Sequence, residues 1–188
     1  LAKRNILHFQ VPFVHVSTPR IKRTMYRYVV CNSNFTRDHL DPGFGAGARV
    51  IYPPVVPIPA SKGRKKQKMI LTVGRFNSLY EVKKQRVLIG AFDQAQKDKS
   101  FAGWKLVLAG GVLPTDESYV RELMRDAAGL PIEFRKNCSY DELVALYNAS
   151  SFYWHAAGYG ETDPTRMEHF GISAVEAMSA GSVPLVYN

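Results

Sequence analysis

Two glutamates near the carboxyl end of the chain are spaced so that they could bind a ligand's hydroxyl groups. Glu168 and Glu176 are separated by seven residues, among them Gly171 and Ser173. Gly171 allows a tight turn or close approach to a ligand, and Ser173 can cap a helix with Glu176 in the capping-box position. The N-terminus of that helix would favour a phosphate. Alternatively, Glu168 is a surface acid and Glu176 only a cap.

A second set of candidate residues is basic. Arg75 comes directly after Gly74 at the end of a predicted strand, and Lys83 and Lys84 lie near the start of the next predicted helix. An arginine fork and a lysine point charge that converge at strand ends would suit a diphosphate. Taken alone, the same cations are more simply interpreted as solvated surface residues.

An alternation of strands and helices predicts the frame that positions these residues. The predicted strands are 69–73, 105–109, 132–135, 152–155 and 183–186, and the predicted helices are 81–97, 116–128, 140–148 and the helix carrying Glu176. This pattern indicates an α/β fold, a Rossmann-like parallel sheet with helices on both faces. Ligands of such sheets bind beyond the carboxyl ends of the strands, where Arg135 and Lys136 follow the third strand.

Residues 1–59 are interpreted as the end of another domain. Predicted strands at 6–16, 28–31 and 49–52 accompany a basic helix at 20–27 and a polar turn or helix start at 32–36. Residues 53–68 are rich in proline, lysine and glycine, so we place the domain boundary there, with 60–68 as a basic linker. The cluster in this linker favours a solvated segment over a patch for nucleic acid or anionic lipid, and it consists of Lys62, Arg64, Lys65, Lys66 and Lys68.

The composition describes a folded, basic chain. Its 188 residues are 46% hydrophobic and carry a formal net charge of +9. This length corresponds to about one domain, and no apolar run approaches the ~20 residues needed to span a bilayer. Cys31 and Cys138 are predicted to be free, buried thiols. Both ends look cut, and we interpret the chain as a fragment of a longer protein.

The sequence around the two glutamates resembles a known family. Glu-His-Phe-Gly-Ile-Ser at 168–173, followed by Val-Glu-Ala-Met-Ser-Ala-Gly and Val-Pro, is similar to the E-x7-E signature of the retaining GT-B glycosyltransferases of family four, also called glycosyl transferase group 1. Val-Gly-Arg-Phe at 73–76, with Lys83, resembles the family's second signature. The resemblance covers about residues 28–188. It implies a truncated two-domain GT-B enzyme, in which 69–188 form an incomplete donor-binding domain.

The resemblance also implies a role for each candidate residue. Glu168 would contact the transferred sugar, while Arg75 and Lys83 would stabilise the charge on the leaving diphosphate, so these three are the predicted catalytic residues. Glu176 would bind the donor's ribose hydroxyls. The residues predicted to bind the donor are Glu176, Phe170, Gly171, Ile172, Ser173, Gly74, Lys84, Arg135 and Lys136.

Several other chemistries lack their motifs. No Gly-x-Gly-x-x-Gly follows a strand, and there is no Gly-x-x-x-x-Gly-Lys-Ser/Thr, which disfavours dinucleotide oxidoreductases and P-loop enzymes. There is also no Asp-x-Asp to hold a divalent ion on a diphosphate. We therefore predict no catalytic metal and no cofactor, because Arg75, Lys83 and a helix dipole can supply positive charge.

The predicted function is that of a metal-independent, retaining hexosyltransferase, inactive as an isolated fragment. Its donor would be a nucleotide-diphosphate sugar. The Glu-His-Phe-Gly-Ile form resembles that of mannosyltransferases of lipid-linked sugar assembly, and this resemblance implies GDP-mannose rather than a UDP-sugar. The expected partners are a lipid-linked, saccharide or other acceptor and a peripheral membrane contact, without nucleic acid, and the expected location is cytoplasmic, including the membrane face. The alternatives are a basic module that binds nucleic acid or membrane, and a non-catalytic nucleotide-sugar-binding relative.

The long loop 156–167 is predicted to be a lid or an acceptor-side wall.

Overall fold

The computed structural model describes residues 5–13, 24–59, 63, 65–79 and 81–187, and the chain forms two compact units. The smaller unit comprises Leu1–Pro54 and Gly160–Gly171, and the larger comprises Val55–Tyr159 and Ile172–Asn188. The sequence does not predict that residues 160–171 group with the smaller unit. The predicted linker, 60–68, falls within the larger unit, and Lys62 and Arg64 lie outside the described residues.

The smaller unit contains a parallel sheet of three strands. The strands are β1 (Ile6–Phe9), β2 (Tyr28–Cys31) and β3 (Arg49–Val50), in that spatial order, and α1 (Asn34–Asp38) and α2 (Pro42–Gly45) connect β2 to β3. Ser33 caps α1, since its Oγ accepts the Thr36 N–H at 3.0 Å, as the polar segment predicts. β1 and β3 are shorter than predicted. Residues 14–23, with the first half of the predicted helix 20–27, lie outside the described part of the chain.

Both cysteines are free thiols, but their environments differ. Cys31 is fully buried in the core of the smaller unit, and burial raises the pKa of its thiol. Cys138 is only partly buried, so its predicted burial is wrong. The reason is its position in the turn that follows a strand at the edge of the larger sheet.

The larger unit is built on a parallel sheet of five strands. These are β4 (Gln67–Val73), β5 (Lys105–Gly110), β6 (Ile132–Lys136), β7 (Ser150–His155) and β8 (Val183–Val186), in the spatial order β6-β5-β4-β7-β8. The predicted strands are confirmed to within two residues at each end. Because the strand order changes direction between β4 and β7, a crevice is expected at the carboxyl ends of these two strands.

Helices cover both faces of this sheet, as predicted. They are α3 (Gln85–Gln96), α4 (Glu117–Asp126), α5 (Tyr140–Ala149) and α6 (Ile172–Ser179). Ile70 of β4 packs with residues of α3 and α4, whereas its neighbour Leu71 packs with residues of α5 and α6. Since successive side chains of a strand point to opposite faces, these contacts assign one helix pair to each face.

Helix α3 begins four residues later than predicted. Glu81 and Lys84 have φ angles of 43° and 53°, in the left-handed region that residues with side chains rarely adopt. Residues 81–84 therefore form a turn, and Lys84 is the N-cap residue of α3. The apolar spacing predicts a buried stripe of Val82, Val87, Leu88, Ala91, Phe92 and Ala95. This prediction is only partly right, because Leu88 and Phe92 are buried together with Ile89, whereas Val87 and Ala91 are exposed.

Two lysines of the basic cluster stabilise the larger unit. Lys66 Nζ donates to the Ala180 carbonyl at 2.7 Å and to the Tyr147 carbonyl at 3.2 Å, and Lys68 Nζ donates to the Ala102 carbonyl at 3.0 Å. Ala180 directly follows α6, so Lys66 places a cation at the negative end of that helix dipole. These lysines thus have a role in folding that the sequence does not reveal.

The predicted capping box at the start of α5 is confirmed. Ser139 Oγ accepts the Glu142 N–H at 3.3 Å, and Glu142 Oε2 accepts the Ser139 N–H at 2.8 Å. These hydrogen bonds favour the ionised carboxylate, so the pKa of Glu142 lies below its ordinary value of 4.5.

We expect the contribution of this capping box to the free energy of unfolding to disappear in acid. A carboxyl group with a depressed pKa in the folded state stabilises the fold above its unfolded pKa, and this stabilisation is lost as the pH falls through the folded pKa. In urea unfolding, the wild-type chain should be more stable than Glu142→Gln at about pH 6, and the difference should shrink at about pH 3. An equal difference at both pH values would contradict the ionised capping box.

Candidate functional site

The carboxyl ends of β4 and β5 approach each other closely. A Cβ atom added to Gly110 would lie 2.0 Å from the Gly74 carbonyl oxygen. The Gly74 N–H donates to the Ala109 carbonyl and the Phe76 N–H donates to the Gly111 carbonyl, both at 2.9 Å. Backbone groups and glycines therefore form this edge of the sheet, which leaves room above it for longer side chains.

Arg75 and Lys83 extend along this edge. A Cβ on Gly74 would lie 2.9 Å from Lys83 Cγ, and a Cβ on Gly111 would lie 4.0 Å from Arg75 Cγ. The aliphatic stem of Lys83 thus lies against Gly74, which follows β4, and that of Arg75 lies against Gly111, which follows the neighbouring strand β5. The structure brings these two predicted residues to one edge, where their like charges favour an anionic ligand. Lys84, the N-cap residue of α3, directly follows Lys83 in the sequence and is partly buried.

Two buried polar side chains hold the segment that carries Arg75. Gln85 is 3% exposed, and its Nε2 donates to the Arg75 carbonyl at 3.0 Å while its Oε1 accepts from the Tyr119 hydroxyl at 3.2 Å. Asp116 is 4% exposed, and its Oδ1 accepts from both the N–H and the hydroxyl of Ser78 at 2.9 Å. The loop between β4 and α3 is therefore fastened to the start of α4.

Sequence reasoning missed Gln85, Asp116 and a third residue, Asn137. The Asn137 N–H donates to the Gly110 carbonyl and its Oδ1 accepts the Val112 N–H, both at 2.9 Å, so it closes the turn after β5. Two signals were available: Gln85 is a polar residue on the buried stripe of α3, and asparagine tolerates the left-handed φ of 51° found at Asn137. The contact between Asp116 and Ser78 joins distant segments and has no local signal.

The two predicted donor-binding cations, which are the last two residues of β6 rather than residues that follow it, are exposed and form ion pairs. Arg135 pairs with Glu133, and Lys136 Nζ donates to the two carboxylate oxygens of Glu117 at 3.0 and 3.1 Å. Exposed pairs of this kind are weak, so an anionic ligand could compete for either cation. Their role in donor binding stays a prediction.

Two buried tyrosines contact the first turns of α6. The Tyr147 hydroxyl donates to Glu176 Oε2 at 2.8 Å. The Tyr153 hydroxyl lies 2.7 Å from Ser173 Oγ and 3.2 Å from the Val73 carbonyl oxygen. Ser173 and Glu176 are three residues apart, so they share one face of the helix. This face is tied to β7, to α5 and, through Val73, to the carboxyl end of β4.

The capping box predicted for Ser173 and Glu176 is wrong. Helix α6 begins at Ile172, so Ser173 lies inside the first turn rather than before it. The Glu176 carboxylate is held by a tertiary hydrogen bond from Tyr147, which local spacing cannot reveal. Burial and the neighbouring carboxylate raise the pKa of Tyr147 well above its ordinary value, so its hydroxyl stays protonated and continues to donate.

Glu168 and Gly171 form a tight turn in the smaller unit. Gly171 has a φ of 83°, which confirms the predicted turn, and its N–H donates to Glu168 Oε1 at 3.1 Å. Glu168 is predicted to contact the sugar, and the Gly171 N–H is predicted to contact the sugar or the phosphates. In this structure the two groups contact each other instead. A ligand that used the Gly171 N–H would have to replace this hydrogen bond, whereas the Glu168 carboxylate has further acceptor sites.

Aromatic contacts hold His169 and Phe170, which lie between Glu168 and Gly171. The Phe170 and Tyr52 ring centroids are 5.7 Å apart, and those of His169 and Phe35 are 6.0 Å apart. His169 Nε2 also lies 3.0 Å from the Pro164 carbonyl oxygen. These contacts hold the His169 ring in place. The other histidine in this part of the sequence, His155 at the end of β7, is 6% exposed and is therefore a core residue.

The long loop after β7 has internal structure. Arg166 lies 4.0 Å from carboxylate oxygens of Glu161 and Asp163, and Asp163 Oδ1 accepts from the Thr165 N–H and hydroxyl at 2.9 and 2.8 Å. The loop is therefore an ordered turn rather than an extended connection. Its predicted role as a lid or an acceptor-side wall stays a prediction.

The described residues show neither a cluster of metal-ligand side chains nor a helix that could span a membrane. Within residues 5–13, 24–59, 63, 65–79 and 81–187, no three His, Cys, Asp or Glu side chains are grouped as metal ligands would be. In the same part of the chain, no helix has the length and apolar character needed to cross a membrane. The absence of a metal requirement stays a prediction.

Comparison with known families identifies the larger unit. The family model described as glycosyl transferases group 1 matches residues 58–188, which is more than half of the chain. The chain belongs to this family. The match contains Arg75, Lys83 and Glu176, and it reaches from just before β4 to the end of β8. Membership confirms the resemblance stated from the sequence signatures.

Sequences similar to this chain include several mannosyltransferases. The GDP-Man:Man(3)GlcNAc(2)-PP-Dol alpha-1,2-mannosyltransferase of Homo sapiens is 30% identical over 176 residues, which cover 85% of this chain and 34% of that protein. The enzyme of the same name from Xenopus laevis is 26% identical over 171 residues, with the same coverage. The chain thus spans about a third of the length of these relatives.

Solved structures confirm the GT-B fold. The crystal structure of TarM matches 98% of this chain and 36% of that chain, with a TM-score of 0.71 and 12% identity. Anabaena HepE in complex with UDP and glucose matches 97% of this chain and 52% of that chain, with a TM-score of 0.68 and 18% identity. At these identities the likeness concerns the fold alone, an α/β architecture of parallel sheets and helices, as predicted.

Proposed function

We propose that this chain supplies the donor-binding part of a retaining, metal-independent mannosyltransferase that uses GDP-mannose. One observation carries the proposal: in a group 1 family member, Arg75 and Lys83 extend over the glycines at the carboxyl edge of β4 and β5. Two cations beside the backbone groups at this edge of the sheet suit a diphosphate, which is the part shared by all nucleotide-diphosphate sugars.

In the proposed reaction, positive charge assists departure of the nucleotide. Arg75 and Lys83 would bind the diphosphate and stabilise the negative charge that builds on it as the sugar–phosphate bond breaks. Glu176 would accept hydrogen bonds from the ribose hydroxyls, and Glu168 would contact the transferred sugar. A donor phosphate oxygen would take the proton of the acceptor hydroxyl, so the reaction needs no separate protein base in this part of the chain.

The names of the relatives support GDP-mannose as the donor. The mannosyltransferases of Homo sapiens and Xenopus laevis are named for GDP-Man and for a dolichol-linked oligosaccharide. By analogy, we infer a lipid-linked saccharide as the acceptor, with peripheral contact to the cytoplasmic face of a membrane.

The alternative of a basic nucleic-acid module is disfavoured, because Lys66 and Lys68 donate to backbone carbonyls of their own unit.

Calorimetric titration with GDP, UDP, GDP-mannose and UDP-glucose tests this function. Titrations are performed on the full chain with EDTA present, and Glu176→Ala is measured beside the wild type. We expect GDP and GDP-mannose to bind without metal, UDP ligands to bind more weakly, and Glu176→Ala to weaken the guanosine ligands. Binding that requires a divalent ion would contradict the metal-independent proposal, and equal affinity for GDP and UDP would contradict the choice of donor.

A further inference from the structure

The hydrogen bond between Tyr147 and Glu176 joins a fixed donor to a flexible acceptor. Tyr147 is fully buried, and its ring packs among Leu71, Tyr153 and Ala177 on one face of the larger sheet. Because this packing immobilises the ring, the hydroxyl cannot move to follow the carboxylate. Glu176, by contrast, is only partly buried and has three rotatable side-chain bonds. The tyrosine therefore determines where the carboxylate lies.

One oxygen of the Glu176 carboxylate stays available for a ligand. Oε2 accepts from Tyr147 at 2.8 Å, whereas Oε1 has no hydrogen-bond partner among the residues that the structure describes. A carboxylate oxygen has room for more than one donor, so Oε2 can also accept a second hydrogen bond. The arrangement thus orients the carboxylate without saturating it.

The neighbouring tyrosine repeats the arrangement one turn earlier on α6. The Tyr153 hydroxyl lies 2.7 Å from Ser173 Oγ, and the Tyr147 and Tyr153 ring centroids are 6.2 Å apart. Two packed aromatic rings therefore hold the two polar side chains on one face of a short helix. If the Tyr147 hydroxyl served only to connect α5 to α6, it would not need to donate to a partly exposed carboxylate such as that of Glu176.

We propose that Tyr147 is a positioning residue that preorganises Glu176 to receive the two ribose hydroxyls of the nucleotide. This inference rests on the proposed function, because it assumes that Glu176 binds the ribose. Holding the carboxylate in one rotamer before the ligand arrives means that its conformational freedom is lost on folding rather than on binding. The affinity for a nucleotide with both hydroxyls should therefore depend on the Tyr147 hydroxyl.

The test compares GDP with 2′,3′-dideoxy-GDP, which lacks both hydroxyls. Tyr147→Phe keeps the ring and removes only the hydroxyl. We expect Tyr147→Phe to weaken GDP binding by about tenfold, as for loss of a hydrogen bond to a charged group, and to change dideoxy-GDP binding by less than about twofold. In a Glu176→Gln background, Tyr147→Phe should add less than about twofold, since the two residues act as one unit.

Two control variants separate positioning from loss of stability. Ser150→Ala removes a fully buried hydroxyl that donates to the Tyr147 carbonyl at 3.1 Å, at the start of β7, and Tyr140→Phe removes an exposed hydroxyl on α5. Both should leave the ratio of GDP to dideoxy-GDP affinity unchanged, whatever they do to the melting temperature. An unchanged ratio in Tyr147→Phe, with normal GDP binding by the wild type, would overturn the positioning role alone. If the wild type binds no nucleotide, the proposed function fails and this inference fails with it.

Discussion

Replacing Arg75 by alanine is expected to weaken binding of GDP by about 10- to 100-fold, the equivalent of about 1.5–3 kcal/mol for hydrogen bonds to a charged group. The physical reason is that Arg75 lies at the carboxyl edge of the sheet, beside Gly111, with its backbone carbonyl fixed by Gln85. Its planar fork can then meet two phosphate oxygens at once. For the same reason Arg75→Lys should recover only part of the affinity, because an ammonium group lacks the fork.

Arg125→Ala is the matched control for this prediction. Arg125 is exposed in the last turn of α4, and its removal lowers the net charge by the same one unit. If general electrostatic attraction were responsible, the two variants would lose affinity equally, and both losses would vanish at high salt. Calorimetry at two salt concentrations distinguishes the cases. Equal losses would contradict a specific role of Arg75.

Gly110→Ala is expected to destabilise the chain by more than about 3 kcal/mol, or to rearrange the site so that nucleotide no longer binds. Its Cβ would lie 2.0 Å from the Gly74 carbonyl oxygen and 2.7 Å from the Gly74 carbonyl carbon. Backbone atoms cannot rotate away as a flexible side chain can. Separating the strands would break the hydrogen bond from the Gly74 N–H to Ala109, and thereby move Arg75 as well.

Gly90→Ala, which is also a glycine-to-alanine substitution, is expected to have the opposite effect on the free energy of unfolding. Gly90 lies inside α3, and a Cβ there would meet no atom within 4 Å apart from its chain neighbours and the nearby backbone of the helix itself. The variant should gain about 0.5–1 kcal/mol, because alanine loses less backbone entropy in a helix than glycine does. Urea unfolding of the two variants measures both effects. A Gly110→Ala variant as stable as the wild type would show that β4 and β5 do not approach as closely as described.

The frame of the larger unit could be predicted because its signals are local. The strand β4 contains the mainly apolar run Met69–Val73, and each of the first four strands of this unit is followed by a helix with apolar residues at helical spacing. Connections between parallel strands must cross over through such helices, so the alternation alone implies a parallel sheet covered on both faces. The capping box of Ser139 and Glu142 is also local, and it was predicted correctly.

The errors occurred where a local pattern competed with tertiary contacts. Ser173 and Glu176 have capping-box spacing, yet both are held by buried tyrosines from other elements. The start of α3 was placed at residue 81 because the apolar stripe extends back that far, but left-handed backbone at Glu81 and Lys84 delays the helix. In both places, contacts or backbone geometry outweighed modest helix-forming preferences.

The sequence by itself determined the family, the order of strands and helices in the larger unit, and the residue types that could bind a diphosphate sugar. These depend on spacing along the chain, as between Glu168 and Glu176. Only the tertiary structure decided that Arg75 and Lys83 lie over glycines of neighbouring strands, and that Gln85, Asp116 and Tyr147 hold the residues around them. Such contacts join segments up to 38 residues apart, and they form only when the packed sheet brings those segments together.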